Sequence, residues 1–193
     1  MAKEARMHDA LVVFEMAGRG TPAMLSEAIR VADIVKYSEE HATEIPERDQ
    51  SGQFIEIMTL GARGLSFRCN LTQCKQSKWK TLDAYPLDRV KDAAGAGDWC
   101  TAGLIHRLGS QGLKGLKELR RDVLLDTLCY SQALAAINCC FEGARGSMYA
   151  LSAEDLDKSV GLLLKGKGLH LPHGSSSGVH ASNSEQCPIC GTI

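Results

Sequence analysis

Short apolar runs alternate with stretches of helical spacing along the first part of the chain. Three runs have the length and composition of strands that are buried on both faces, at residues 10–14, 32–37 and 54–60. Thr21 and Pro22 supply a helix start for residues 23–32, because threonine caps a helix and proline fits its first turn. Strands that alternate with helices predict an α/β fold, with a mostly parallel sheet flanked by helices and right-handed crossovers.

The pattern predicts a hairpin and several helices in addition to these units. Segments with strand character at residues 65–67 and 79–85 flank the polar residues 68–78, which predicts a hairpin with a long loop. Ser38 is expected to cap a short helix that runs through Thr43. Longer helices are predicted over residues 99–108, 123–141 and 153–164, the last of them capped by Ser152.

Composition changes sharply near residue 165. From there the chain is rich in Gly, Ser, His and Lys, with too few large apolar residues to offset the entropy of ordering. We therefore expect a folded unit over residues 1–164 and a flexible tail over residues 165–193. Cys187 and Cys190 in that tail have the spacing of half a tetrahedral Zn²⁺ site. The alternative is a disordered tail with two reactive thiols, since the candidate remaining ligands have no recognised spacing: Cys69, Cys74, His170, His173 and His180.

Overall charge and composition narrow the partners. The chain has 193 residues, is 44% hydrophobic and 23% charged, and carries a formal net charge of −1, as a soluble globular protein does. Its basic residues are dispersed, so we expect no nucleic-acid partner. The apolar runs are too short to span a bilayer and the N-terminus lacks an apolar signal region, so we expect no membrane partner and a cytoplasmic location. Several cysteines lie in helical patterns, which indicates reduced thiols rather than disulfides.

The stretch with the clearest chemistry is residues 92–99, DAAGAGDW, just before a predicted helix. Gly95, Ala96 and Gly97 have so little side chain that their backbone N–H groups can converge on an anion at the helix start. Asp98 falls in the first helical turn, where the helix dipole favours its ionised form and the carboxylate can accept a proton from a hydroxyl. The alternative is a glycine-rich connection in which Asp98 is only a cap.

Residues 92–103, DAAGAGDWCTAG, resemble the C-terminal signature of the PfkB-type, ribokinase-like carbohydrate kinases. The resemblance implies transfer of the γ-phosphoryl group of ATP to a hydroxyl of a small sugar or nucleoside. It also implies that Asp98 is the catalytic base and that Gly95, Ala96 and Gly97 form the anion hole. Ala93 and Ala94 depart from the family pattern, which has a hydroxyl residue after the first Asp.

Two further segments are similar to the same family and occur in the same order. ADIVKYSEE at residues 32–40 resembles the segment that faces magnesium and phosphates, which implies that Glu39 or Glu40 acts on Mg²⁺ through water. The family form has an Asn near Ser38 and a Glu near His41, and this chain has neither. The alternative for either glutamate is an acidic first helical turn in solvent.

TLGARG at residues 59–64 resembles the loop of the family on the nucleotide side, with Gly61 and Gly64 close to ATP. A simple hairpin turn explains these glycines equally well. Asn138 lies where the family has an Asn at the edge of the nucleotide pocket. Its alternative is a mid-helix Asn bonded to neighbouring backbone.

The resemblance covers roughly residues 10–164 and corresponds to the C-terminal half of a ribokinase-like domain, so we expect a fold that is incomplete at its N-terminal side. The first strand, at residues 10–14, would then be an unpaired edge that joins a second copy or a separate N-terminal kinase half. Alternatively, residues 1–9 cover that edge. Because the absent half supplies most sugar contacts in the family, a competing hypothesis is a truncated, non-catalytic nucleotide-binding or regulatory protein, or one half of a split kinase.

Overall fold

The computed structural model describes residues 2–16, 18, 20–46, 52 and 54–169. Its strands are β1 Val13–Glu15, β2 Ile34–Ser38, β3 Phe54–Thr59, β4 Leu65–Asn70 and β5 Lys75–Leu82. Its α-helices are α1 Ala2–Met7, α2 Pro22–Val31, α3 Ala96–Leu108, α4 Gly112–Glu118, α5 Arg121–Asn138, α6 Gly146–Ala150 and α7 Ala153–Leu164. Short 3₁₀ turns occupy Glu39–Glu44, Gly61–Arg63 and Gly109–Gln111.

The described strands form one sheet in the order β1-β2-β3-β4-β5. β1, β2 and β3 are parallel, as their buried runs and the intervening helix α2 predict. β3 and β4 are antiparallel, and so are β4 and β5. The sheet is therefore mixed, with parallel strands on one side and an antiparallel hairpin on the other.

Helix starts with a clear capping residue lie where the sequence predicts them. The Thr21 hydroxyl accepts a hydrogen bond from the Met24 N–H at 3.3 Å, and α2 begins at Pro22. The Ser152 hydroxyl accepts from the Asp155 N–H at 3.1 Å, and α7 has its predicted bounds. Ser38 differs, because its side chain makes no capping hydrogen bond and the segment after it is a 3₁₀ turn.

The predicted hairpin has longer strands and a shorter loop than expected. β4 continues to Asn70 and β5 begins at Lys75, so residues 71–74 alone connect them. The polar residues assigned to the loop instead pair across the strands, with Cys69 opposite Gln76 and Asn70 opposite Lys75.

Helices cover both faces of the sheet. On one face, Ile55 and Phe67 pack into a buried cluster with Leu104 of α3 and Leu128 of α5. On the other face, Val35 packs with residues of α2. A third cluster joins the end of α5 to α7. The alternation of side chains along each strand thus places α3 and α5 together on one side of the sheet.

β1 lies at the edge of the sheet and, among the described strands, pairs with β2 alone. A groove of about 370 Å³ runs beside it, lined by Leu11, Val13, Ile34, Leu104, Ile105 and Leu108. The N-terminal segment is bonded at two places. Arg6 pairs with Asp33 at 2.7 Å, and the Asp9 carbonyl accepts from Leu113 N–H at the start of α4 at 3.0 Å. The outer side of β1 therefore remains a sheet edge within the described part of the chain.

Candidate functional site

The candidate site lies where β1, β2 and β3 end, beside the first turn of α3. Because these strands are parallel, their carboxyl ends share one edge of the sheet, and in open α/β sheets ligands bind at that edge. Glu15 is the last residue of β1. A methyl group placed on Gly97 of α3 would lie 3.4 Å from Glu15 Oε1, so the start of α3 lies directly against the end of β1.

The first turn of α3 presents backbone donors without a side-chain cap. Gly95 is the N-cap residue, with φ 73°, and no side chain caps the helix. The Ala96 N–H donates to the Ala93 carbonyl at 3.2 Å. By position, the N–H groups of Gly97 and Asp98 have no acceptor in a preceding turn of α3. Both residues are exposed, so their amides are open to a ligand; the anion hole itself stays a prediction.

Asp98 lies at the third position of α3 and its side chain is exposed. It thus shares its helical turn with the open amides, in the arrangement that the sequence predicts. Its role as the catalytic base stays a prediction.

The residues before α3 are fastened to the turn that follows α5. The Asp92 carboxylate accepts from the Ala94 N–H and from the Gly143 N–H, each at 2.9 Å. These two backbone bonds hold the pKa of Asp92 below its ordinary value. The Trp99 indole N–H donates to the Ala144 carbonyl at 2.9 Å. A methyl group on Gly95 would lie 2.6 Å from that carbonyl oxygen, so no larger residue fits there without a shift of the backbone.

Asn138 bonds the segment before α3 and the first turn of α6. It is the last residue of α5 and is fully buried. Its Nδ2 donates to the Ala94 carbonyl at 3.1 Å. Its Oδ1 accepts from the Ser147 hydroxyl at 2.9 Å and from the Ser147 N–H at 3.3 Å. Contact between Asn138 and ATP stays a prediction.

The sequence does not predict three charged or polar residues that lie together at this edge. Lys36 of β2 is only 2% exposed and its ammonium group pairs with Glu15. The second carboxylate oxygen of Glu15 accepts from the Thr101 hydroxyl of α3. The one signal in the sequence is a lysine inside an apolar strand, since buried lysines are almost always paired. This cluster connects β1, β2 and α3 beneath the open turn.

The predicted residues on the nucleotide side and the metal side are linked by an ion pair. Glu39 follows β2, and its carboxylate pairs with the guanidinium group of Arg63 in the turn after β3. Glu40 is exposed. Gly61 and Gly64 have φ 58° and 97°, and a methyl group on Gly64 would lie 2.1 Å from the Leu82 carbonyl oxygen. The turn geometry therefore requires both glycines, and their contact with ATP stays a prediction.

The predicted zinc ligands Cys187 and Cys190 lie outside the described residues. Cys69 and Cys74 are buried with their sulfurs 3.4 Å apart at the β4–β5 hairpin. Burial and the hydrogen bond to Cys74 raise the pKa of Cys69 to about 12. Across the ranges that the structure describes, no three His, Cys, Asp or Glu side chains cluster as metal ligands. In the same ranges, no helix has the length and apolar character needed to cross a bilayer.

The open mixed sheet, the helices on both faces and the uncapped helix start at its carboxyl edge define a partial ribokinase-like fold. The solved structures that it resembles include sugar and nucleoside kinases. Aminoimidazole riboside kinase from Salmonella enterica, solved with aminoimidazole riboside and an ATP analogue, matches with a TM-score of 0.63 and 20% identity over 82% of this chain and 55% of its own. A nucleoside kinase from Burkholderia thailandensis, solved with inosine, has a TM-score of 0.58 and 17% identity over 85% and 51%.

Ribokinase from Giardia lamblia is similar with a TM-score of 0.60 and 21% identity over 77% of this chain and 49% of its own. The chain thus spans about half the length of these kinases. No protein-family model matches the sequence, and no curated protein matches it.

Proposed function

We propose that this chain is the C-terminal part of an ATP-dependent carbohydrate kinase, which transfers the γ-phosphoryl group of ATP to a hydroxyl of a sugar or nucleoside. The observation that carries the proposal is the first turn of α3. It combines open amides at Gly97 and Asp98 with an exposed carboxylate at the carboxyl edge of the sheet. Kinases of the same fold that were solved with ATP or an ATP analogue support it.

The first turn of α3 has two parts in the proposed reaction, one from its backbone amides and one from the Asp98 carboxylate. The amides of Gly95 and Gly97 and the positive end of the helix dipole stabilise negative charge on the transferred phosphoryl group. The Ala96 amide joins them once it leaves the Ala93 carbonyl. Asp98 accepts the proton of the attacking hydroxyl, which makes the oxygen a better nucleophile. The proton moves to a carboxylate oxygen while the oxygen–phosphorus bond forms and ADP leaves.

We propose that Mg²⁺, which prefers carboxylate and water oxygens, binds at this edge. Glu39 and Glu40 at the end of β2 would hold the ion through water, and Glu39 would first separate from Arg63. When bound, Mg²⁺ would offset the negative charge of the phosphates. Zn²⁺ at Cys187 and Cys190 remains a separate proposal about the tail.

Replacement of Asp98 by Asn tests the catalytic role directly. We expect phosphoryl transfer to fall by about 10²- to 10⁴-fold, because that is the usual contribution of a general base. Affinity for Mg-ATP should stay within about twofold, since the backbone donors remain. Coupled ADP release with a panel of sugars and nucleosides measures the first quantity, and calorimetry measures the second.

Asp122→Asn is the matched control, because Asp122 is also exposed in the first turn of a helix but lies at the start of α5. It should leave transfer unchanged. Equal turnover in the Asp98→Asn variant and the parent would refute the role of Asp98.

A second proposal concerns completion of the sheet, and it starts from the outer side of β1, which pairs with no described strand. A separately encoded N-terminal half or a second copy would then add a strand there. If the chain binds Mg-ATP and turns over no sugar or nucleoside alone, it is one half of a split kinase or a nucleotide-binding regulator. Addition of an N-terminal kinase half separates these two, because only the split kinase gains activity.

A further inference from the structure

Asn138 has a position that differs from that of a ligand-binding side chain. It is fully buried, and both polar atoms of its amide are bonded within the protein. One end holds the Ala94 carbonyl, 44 residues earlier in the sequence. The other end holds Ser147, which is itself 2% exposed. The side chain thus connects the segment before α3 to the first turn of α6.

Two further contacts join the same segments. The Asp92 carboxylate accepts a hydrogen bond from the Gly143 N–H, and the Trp99 indole N–H donates to the Ala144 carbonyl. Gly95 packs against the backbone of Ala144 with no space for a Cβ atom. Since α3 has no side-chain cap, these contacts set the direction in which its first amides point.

We infer that Asn138 is a positioning residue, which acts on the phosphoryl site through the Ala94 carbonyl and Gly95 and does not contact the nucleotide. The inference rests on the proposed function. It extends that function, because it makes residues 143–147 part of the anion site although they lie about 45 positions further along the chain. Ser147 and Trp99 are positioning residues of the same kind.

The test compares ligands with and without phosphate. Asn138→Leu keeps the number of side-chain heavy atoms and the lack of charge but removes the hydrogen bonds at both ends, whereas Ser147→Ala removes only the hydroxyl donor to Oδ1. Calorimetry on the full chain, below the melting temperature of each variant, measures binding of inorganic tripolyphosphate and of adenosine. We expect Asn138→Leu to weaken tripolyphosphate binding by on the order of tenfold, with a smaller loss for Ser147→Ala, while adenosine binding changes less than twofold.

Two outcomes would overturn the inference. A fall in adenosine affinity as large as that for tripolyphosphate would make Asn138 a nucleotide contact. Unchanged affinity for both ligands, with only a lower melting temperature, would make it a purely structural residue. If Asn138→Leu does not fold, Trp99→Phe replaces it, since it removes the indole donor to Ala144 and keeps an aromatic ring.

Amide hydrogen exchange without ligand separates this inference from the proposed function. We expect faster exchange at the Trp99 amide, which donates to the Gly95 carbonyl at 2.9 Å, in Asn138→Leu than in the parent, and unchanged exchange there would refute the positioning role. A parent chain that binds neither tripolyphosphate nor Mg-ATP would refute the proposed function. The exchange rates would then still decide whether Asn138 holds the start of α3.

Discussion

Replacement of Gly95 by alanine tests how tightly the start of α3 is held. Gly95 has φ 73°, and a Cβ atom there would lie 2.6 Å from the Ala144 carbonyl oxygen and 2.8 Å from its Cα. A left-handed backbone costs alanine about 1–2 kcal/mol. Because the clash is with backbone atoms, the neighbouring segment must move, and overpacking of this kind costs about 1–3 kcal/mol. We therefore expect a loss of about 2–5 kcal/mol in the free energy of unfolding.

Gly143→Ala is a matched control for the backbone term. Gly143 has φ 80°, but nothing lies within 4 Å of a Cβ atom built on it. Alanine at this position should therefore lose only about 1–2 kcal/mol. The difference between the two variants, about 1–3 kcal/mol, isolates the contact between Gly95 and Ala144.

Urea unfolding followed by circular dichroism gives both free energies by linear extrapolation. For a chain of this size, each kcal/mol lowers the melting temperature by about 2–4 °C. Gly95→Ala should also weaken tripolyphosphate binding, whereas Gly143→Ala should weaken it less. Equal losses of stability in the two variants would show that Ala144 yields without cost, and the argument for a rigid start of α3 would fail.

Three other properties follow from the described contacts. The pKa of Asp92 is held below its ordinary value of 3.8, so this carboxylate stabilises the fold above pH 3.8 and the contribution is lost as pH falls through the lower folded pKa. Urea titrations should therefore show that the difference in unfolding free energy between the parent and Asp92→Asn shrinks over that range. Burial raises the pKa of Cys69 to about 12 and of Cys100 to about 11, so iodoacetamide at pH 8 should label neither thiol until urea unfolds the chain. Labelling of either thiol in the folded chain, detected by peptide mass spectrometry, would contradict this prediction. The edge at β1 should pair with another chain, so light scattering should show an oligomer or aggregate; a stable monomer at about tens of micromolar with protected amides at Val13–Glu15 would contradict it.

Local signals account for the parts of the fold that the sequence predicts well. Thr21 and Ser152 cap their helices through contacts within three residues, so the sequence alone contains both partners. The parallel strands are continuous apolar runs because both of their faces are covered. The order of three family-like segments predicts the partial ribokinase-like fold, which matches about half the length of the solved structures.

The hairpin was harder to predict because its polar residues are satisfied across strands. The sequence predicts a loop at Arg68, but its Nε donates to the buried Glu56 carboxylate at 2.7 Å and its guanidinium group lies over Trp79. β5 is an edge strand with mostly half-exposed and exposed positions, so its composition is that of a loop.

The candidate site also combines a local motif, which the sequence predicts, with contacts between distant residues, which it does not. Asp98 and the residues before it form one local motif, which the sequence contains in full. The Glu15–Lys36 pair spans 21 positions and the Asn138–Ala94 bond spans 44, so neither is visible in a local pattern. Such contacts depend on the packing of α3 and α5 against the sheet.

The bonds between the start of α3 and the turn after α5 also bear on the order of folding. They join residues 44 to 51 positions apart, whereas the β4–β5 hairpin closes over a few residues. Contacts across long loops form late, because the loss of chain entropy precedes their gain. We expect the proposed phosphoryl site to be unformed in the folding transition state. A ligand bound there would then slow unfolding and leave the folding rate unchanged, so ATP would lengthen the lifetime of the native chain without helping it to form.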